Sequence, residues 1–158
     1  MHLPMVERYL QPNVDYFLID PSRLFNEDSS KYCFIGIKNN PTWTELVLTS
    51  EANKEPLKIV YNSDRTISFS FQLSTKRNGA CWHEQNGSDT DTKWLRTCND
   101  SVFLDIEAAT KFEPLIGPDE CDGIALRTVQ CWDNLYANYG YIKGSKDKAT
   151  KFMFLPVN

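Results

Sequence analysis

This chain has no long apolar run. None of its 158 residues lie in a stretch near the roughly eighteen consecutive apolar side chains that a membrane-crossing helix requires, so no membrane insertion is expected. It has no basic block either: 17 Lys and Arg are interspersed with 21 Asp and Glu, for a net charge of -4. A phosphate backbone is met by clustered cations, so no nucleic-acid partner is expected. Histidine is nearly missing, with only His2 and His83. A hydrolytic triad needs a nucleophile, a histidine and a carboxylate within hydrogen-bond reach. Strand alternation would turn Cys81 and His83 to one face, but no third group is placed to orient them. No catalytic residue and no enzyme activity are expected.

The five cysteines, Cys33, Cys81, Cys98, Cys121 and Cys131, are odd in number and contain no C-x-x-C pair. Metal-ligand spacing is therefore lacking, and neither a metal nor another cofactor is expected. Reduced thiols are expected, with a Cys81–Cys98 bridge across a hairpin as the alternative in an oxidising compartment. Met1 to Arg8 shows neither the basic start nor the apolar run of a secretory leader, so the expected location is cytosolic, with secretion after leader removal as the alternative. In that second case Asn86-Gly87-Ser88 and Asn99-Asp100-Ser101 would be glycosylation sequons. Helical periodicity is also scarce. Ser101 to Thr110 can be fitted to a 3.6-residue period, but Val102, Phe103 and Ile106 favour strands.

What the chain does have is aromatic residues and turn formers. Four Trp, seven Tyr and nine Phe are set among Asn, Asp, Ser, Thr and Gly, a mixture suited to short strands joined by polar turns. Ala109-Thr110-Lys111-Phe112 recurs forty residues later as Ala149-Thr150-Lys151-Phe152, and Ser68 to Leu73 reads as a degenerate third copy. The runs before each copy align as strands in the same order. The first unit takes Cys33 to Lys38, Glu45 to Thr49, Leu57 to Tyr61 and Thr66 to Leu73. The second takes Ala80 to Glu84, Lys93 to Thr97, Val102 to Ile106 and Lys111 to Ile116, with Pro114 marking an edge or bulge. The third takes Ile124 to Val129, Leu135 to Ala137, Tyr141 to Lys143 and Lys151 to Leu155. Three four-stranded units, none able to bury its apolar face alone, satisfy their edges by closing round a common axis. The expected fold is all-β, a β-trefoil over residues 33–158, with residues 1–32 as an N-terminal extension packed on it. A two-sheet sandwich is the alternative. Within the extension, Tyr16 to Ile19 is one apolar run among Pro4, Pro12 and Pro21 that could add a strand.

Gly123 to Val129, then Asn134-Leu135-Tyr136-Ala137, then Thr150 to Phe154, resembles the β-trefoil signature of a strand, a Leu-x-Ala strand and a Phe-containing strand. Trp94-Leu95-Arg96-Thr97 with Lys111 to Leu115 is similar. Among trefoils the chain is closest in flavour to the amaranthin-like agglutinins, whose units carry Trp and Tyr near polar loops. That resemblance implies glycan binding, although trefoils also include protease inhibitors, cytokines and actin bundlers. The Gln-x-Trp motif of ricin-type lectins is missing, so no binding residue is carried over from that family.

Cys131 to Tyr141 interleaves aromatic rings with Asp and Asn around two turns. A sugar presents apolar C–H faces and a fan of hydroxyls, and needs an aromatic platform with short planar polar partners. The candidate site is Trp132, Asp133, Asn134, Tyr136, Asn138 and Tyr139: Trp132 or Tyr136 stacks, while Asp133, Asn134 and Asn138 bond hydroxyls. The competing reading makes Trp132, Tyr139 and Tyr141 a plug for the open barrel end, with Asp133 and Asn134 only forming the turn. Gln85 to Thr92, between Trp82 and Trp94, and Trp43 are further candidates. The expected function is a non-catalytic, lectin-like module whose partner is a glycan or glycoprotein. One weak site per protomer would favour a homodimer. The alternative is a protein-binding trefoil, a protease inhibitor or cytokine-like ligand.

Overall fold

Alternating apolar residues bounded by polar turns produce twelve short strands among the described residues. The computed structural model describes residues 10–39, 44–71, 93–98, 101–105, 109–117, 123–129 and 131–157. In chain order the strands are β1 (Asp15–Ile19), β2 (Phe34–Asn39), β3 (Thr44–Thr49), β4 (Leu57–Tyr61), β5 (Ile67–Phe71) and β6 (Lys93–Cys98). They continue as β7 (Ser101–Asp105), β8 (Phe112–Ile116), β9 (Ile124–Thr128), β10 (Asn134–Asn138), β11 (Tyr141–Ser145) and β12 (Met153–Pro156). Apart from three short 3-10 turns there is no helix among the described residues, and every strand pairing there is antiparallel. The protein is all-β. The expected strand at Ala80 to Glu84 lies outside the described residues, as do Trp43, Cys81, Trp82, His83 and the Gln85 to Thr92 turn.

The pairings form two sets, joined to each other by β1–β2, β5–β6 and β9–β10. One runs β1–β4, β4–β5, β5–β8, β8–β9 and β12–β1, and a bridge between Ile124 and Phe152 links β9 to the residue before β12. Hydrogen bonding therefore travels round a closed circuit of six strands, which leaves none of them as a free edge. The other set is three hairpins, β2–β3, β6–β7 and β10–β11, whose second strands pair with one another as β3–β7, β7–β11 and β11–β3. Residues 1–32, expected as an N-terminal extension packed on the domain, contribute β1 to this circuit. Its Tyr16 to Ile19 pair with Pro156 to Met153, and Tyr16 and Leu18 are buried.

The circuit strands, with Phe152 just before β12, fill the core with Leu18, Leu57, Ile59, Ile67, Phe69, Phe112 and Leu126, and the hairpins add Ile35, Leu46, Leu95, Val102, Leu135 and Ile142. The repeated tetrapeptide adds a further tie between these two sets. The Thr110 and Thr150 N–H groups donate to the Leu95 and Leu135 carbonyls, both at 3.0 Å. Their hydroxyls accept from the Thr97 and Ala137 N–H groups, both at 2.8 Å. Two residues further on, Phe112 and Phe152 enter the core. In the first part of the chain Glu55 N–H donates to the Ile35 carbonyl at 3.1 Å and Leu57 takes the buried position, a likeness that no shared letters reveal. Ser68, in the expected degenerate copy, instead sends its hydroxyl to the Thr110 carbonyl at 3.2 Å. Pro114 pairs with Leu126 on β9, while the β5–β8 pairing involves Phe112 two residues earlier, so its missing N–H costs no ladder bond there.

The β4–β5 turn carries a well-defined ion pair. Asp64 accepts from the Lys111 ammonium at 2.8 Å and from the Thr66 hydroxyl at 2.6 Å. Lys111, with Thr66 in support, pulls the carboxyl down from 3.8 to about 2. A depressed folded-state value means that this contribution to stability is present above the unfolded value near 3.8 and is lost as pH falls through about 2. Lys111→Gln is expected to move the Asp64 titration, followed by carboxyl carbon shifts, upward towards 3.8. A midpoint that stays near 2 would assign the effect to Thr66 instead.

Candidate functional site

The centre of the candidate region is β10, and its alternation is fixed from the inside. Leu135 and Ala137 are buried opposite Gly144 and Ile142 of β11, and Thr150 grips both through their backbone. Asn134, Tyr136 and Asn138 consequently face outward and are half-buried. This is the arrangement expected from the Leu-x-Ala pattern.

At one end of the strand the chain turns sharply from Thr128 to Asp133. Thr128 N–H donates to the Asp133 carbonyl at 2.7 Å, Trp132 N–H to the Thr128 carbonyl at 3.0 Å, and Asp133 N–H to the Thr128 hydroxyl at 3.0 Å. Trp132 is held there with a left-handed backbone, φ 59°, and the residue is 56% exposed. The Arg127 guanidinium lies 4.6 Å from the ring centroid and pairs with Glu113 at 3.3 Å, so Arg127 backs the indole. Asp133 is already engaged, accepting from Lys146 at 3.1 Å, and the same ammonium reaches the Cys131 carbonyl at 2.9 Å. Asn134 donates its side-chain amide to the Ser145 carbonyl at 3.2 Å.

At the other end Tyr139 is again left-handed, φ 56°, and 82% exposed, followed by Tyr141 at 58%. The Gly140 carbonyl accepts from Leu48 N–H at 3.1 Å, which docks the β10–β11 turn against β3. These exposures correct the plug reading: Trp132, Tyr139 and Tyr141 project into solvent, and the core is filled by Phe, Tyr16 and aliphatic side chains. The six candidate residues also divide. Trp132 and Tyr139 are separated by a five-residue strand, roughly 17 Å of extended backbone, so one sugar ring cannot lie on both.

Beside Tyr136 the surface is concave. A cleft of about 570 Å³ is lined by Asp20, Pro21, Ser22 and Arg23 on one side and by Tyr136, Ala137 and Ala149 to Lys151 on the other. Its first wall is a 3-10 turn capped by Asp20, which accepts from Ser22 N–H at 3.2 Å, from the Ser22 hydroxyl at 2.7 Å and from Arg23 Nε at 3.2 Å. Arg23 also donates to the Tyr139 carbonyl, so the turn is fastened to the end of β10. Lys148, which is not among the lining residues, holds its ammonium 5.6 Å from the Tyr136 ring centroid. Asp20 to Arg23 are not found from sequence because they lie over a hundred residues from Tyr136. The one available signal is Asp20-Pro21-Ser22, an acidic cap followed by Pro at the first helical position.

Cys33 is a free, buried thiol whose sulfur donates to the Ser30 carbonyl at 3.3 Å; burial, then the Asp20 charge, raises its pKa. Cys131 is free and exposed, and Cys121 lies outside the described residues. Among the described residues no group of three His, Cys, Asp or Glu gathers that could hold a metal ion, and no helix is long and apolar enough to cross a membrane. No protein-family model, no curated protein and no solved structure matches this chain.

Proposed function

We propose that this chain is a non-catalytic carbohydrate-binding module on a β-trefoil framework, with its primary site in the cleft beside Tyr136. The closed six-strand circuit and the triangle of hairpins support that framework, with units opening at β1, β5 and β9. The same N–H to carbonyl bond from Glu55, Thr110 and Thr150 supports it too. The observation that carries the functional reading is the cleft itself. It sets Tyr136 beside a fixed carboxylate–guanidinium pair and Ser22, in a volume within the range typical of small-molecule sites.

The backbone lends independent support. A bulky side chain in the left-handed region costs about 1–2 kcal/mol, and neither Trp132 nor Tyr139 regains that by burial. Strain that exposes aromatic rings fits recognition better than packing. In this reading Tyr136 stacks on the first sugar, Asn138 and the Asp20–Arg23 wall meet its hydroxyls, and Tyr139 or Trp132 receives a further residue of a longer glycan.

Tyr136→Ala is expected to lower glycan affinity by about tenfold or more, the loss of one stacking platform, without moving the melting temperature beyond a few degrees. Binding on a glycan array and by titration calorimetry reads this directly. Full binding by folded Tyr136→Ala, with binding lost in Trp132→Ala, would put the site at the Trp132 end of β10 instead.

A specific observation also favours a second reading, a protein-docking trefoil. Phe25 is 95% exposed, and Leu24 and Tyr32 nearby in sequence are exposed as well. If a protein is the ligand, Phe25→Ser abolishes its capture while free sugar has no effect.

A further inference from the structure

We infer that the ligand is a linear oligosaccharide laid along one face of β10, with Tyr136 at its centre, Trp132 at one end and Tyr141 at the other. This rests on the carbohydrate-binding reading and names the form of the sugar: an unbranched chain of several residues in place of a single terminal one. Strand register carries the argument, because residues directly opposite each other in an antiparallel pair turn their side chains to the same face. Asn134, Tyr136 and Asn138 face outward from β10, with Leu135 and Ala137 turned to the core. Asn138 is opposite Tyr141 on β11, which is 58% exposed and shares that outward face. At the other end Asn134 is opposite Arg127 on β9. The Arg127 guanidinium lies 4.6 Å from the Trp132 ring centroid, so the indole stands over the same face.

The three rings thus follow a line across β9, β10 and β11. Asn134 and Asn138 are four residues apart, about 13 Å of strand, and Tyr136 lies midway between them. No single sugar ring covers that length. Because Asn134 and Asn138 stand between the rings, aromatic and amide groups alternate along the face instead of merging into one apolar patch. A protein partner is best met by a contiguous patch, whereas a sugar chain offers C–H faces and hydroxyls in turn. The charged groups at the Trp132 end are paired with each other, Arg127 with Glu113 at 3.3 Å and Lys146 with Asp133 at 3.1 Å, which fits a neutral chain better than a charged one.

The test is titration calorimetry with neutral oligosaccharides from monosaccharide to hexasaccharide, taken from the chitin, cellulose, mannan and galactan series. The wild-type chain is measured beside Tyr136→Ala, Trp132→Ala and Tyr141→Ala, each checked by its melting curve. Trp132 and Tyr141 are exposed, so losing either ring should leave the fold in place. In a series that binds, affinity is expected to rise about tenfold or more from disaccharide to hexasaccharide. Trp132→Ala and Tyr141→Ala should each remove roughly three- to tenfold of the hexasaccharide affinity, the worth of one aromatic contact, and leave the disaccharide unchanged. Tyr136→Ala should weaken binding at every length. Affinity that levels off at the disaccharide, or a length gain that survives either end variant, would overturn the inference and leave the cleft as a site for a terminal sugar. If no member of any series binds, the inference falls, and a glycan array that also stays blank takes the carbohydrate reading with it.

Discussion

Phe112→Ala is expected to destabilise the domain by about 3–5 kcal/mol, enough to take away much of the roughly 5–15 kcal/mol that holds a domain of this size together. Phe112 is fully buried and meets Phe69 with ring centroids 5.5 Å apart at a 59° tilt. Phe69 in turn stacks on Phe154 at 6.2 Å, so the three rings form one connected cluster. The cost has two parts: the apolar surface no longer buried, and the cavity that rigid neighbouring strands cannot close. Phe152 holds the corresponding place after Thr150, and Phe152→Ala should cost a similar amount. Urea unfolding with a two-state fit measures both. A double-mutant cycle of Phe69 and Phe112 should show a coupling of about 0.5–1.5 kcal/mol from the ring pair. A loss below about 1 kcal/mol for either single variant would mean that these rings do not sit in the common core.

Phe112 and Phe152 are also the part of the fold most legible in the sequence. Their tetrapeptides share letters because they do the same structural work, with a threonine that donates and accepts across to a hairpin strand and, two residues later, a core ring. Where other letters fill that role, as in Glu55-Pro56-Leu57, no repeat is visible, and Ser68 to Leu73 is the closer match by letter alone. The all-β class, the inward Leu135 and Ala137 and the outward Tyr136 follow from period-two alternation, a local property. β1 is harder to place. Its five residues show their meaning only through β12 and β4, at the far end of the chain and some forty residues on.

The candidate site divides on the same line. Its aromatic and amide residues are visible because they crowd into one stretch of sequence. The wall that makes a cleft of it comes from Asp20 to Arg23, and no local pattern links that turn to Tyr136. Nor does residue type announce that Trp132 and Tyr139 adopt left-handed backbone, since glycine or asparagine is the usual occupant. The turns at both ends of β10 impose it, and the same turns hold the two rings outward.

The second large effect is expected where the circuit closes. Gly123 has φ +88°, and a Cβ built there would lie 2.8 Å from the Phe152 carbonyl oxygen and 3.2 Å from the Lys151 carbonyl group. Those are backbone atoms, so no side chain can swing away to relieve the contact. Immediately beyond it, Ile124 and Phe152 exchange both of their N–H to carbonyl bonds at 2.9 Å, the link among the described residues between β9 and the approach to β12. Gly123→Ala combines a left-handed alanine, about 1 kcal/mol or more, with displacement of that bridge, whose bonds contribute roughly 0.5–1.5 kcal/mol each. A total of about 2–4 kcal/mol is expected. Gly140→Ala supplies the control: it also sits in a turn, but nothing lies within 4 Å of its Cβ position, so its effect should stay within about 0.5 kcal/mol. Amide exchange separates the two costs. If Gly123→Ala opens the circuit, the Ile124 and Phe152 amides lose protection ahead of the Leu95–Thr110 and Leu135–Thr150 ties. If the variant matches Gly140→Ala in stability and exchange, the six strands do not depend on closure at this point.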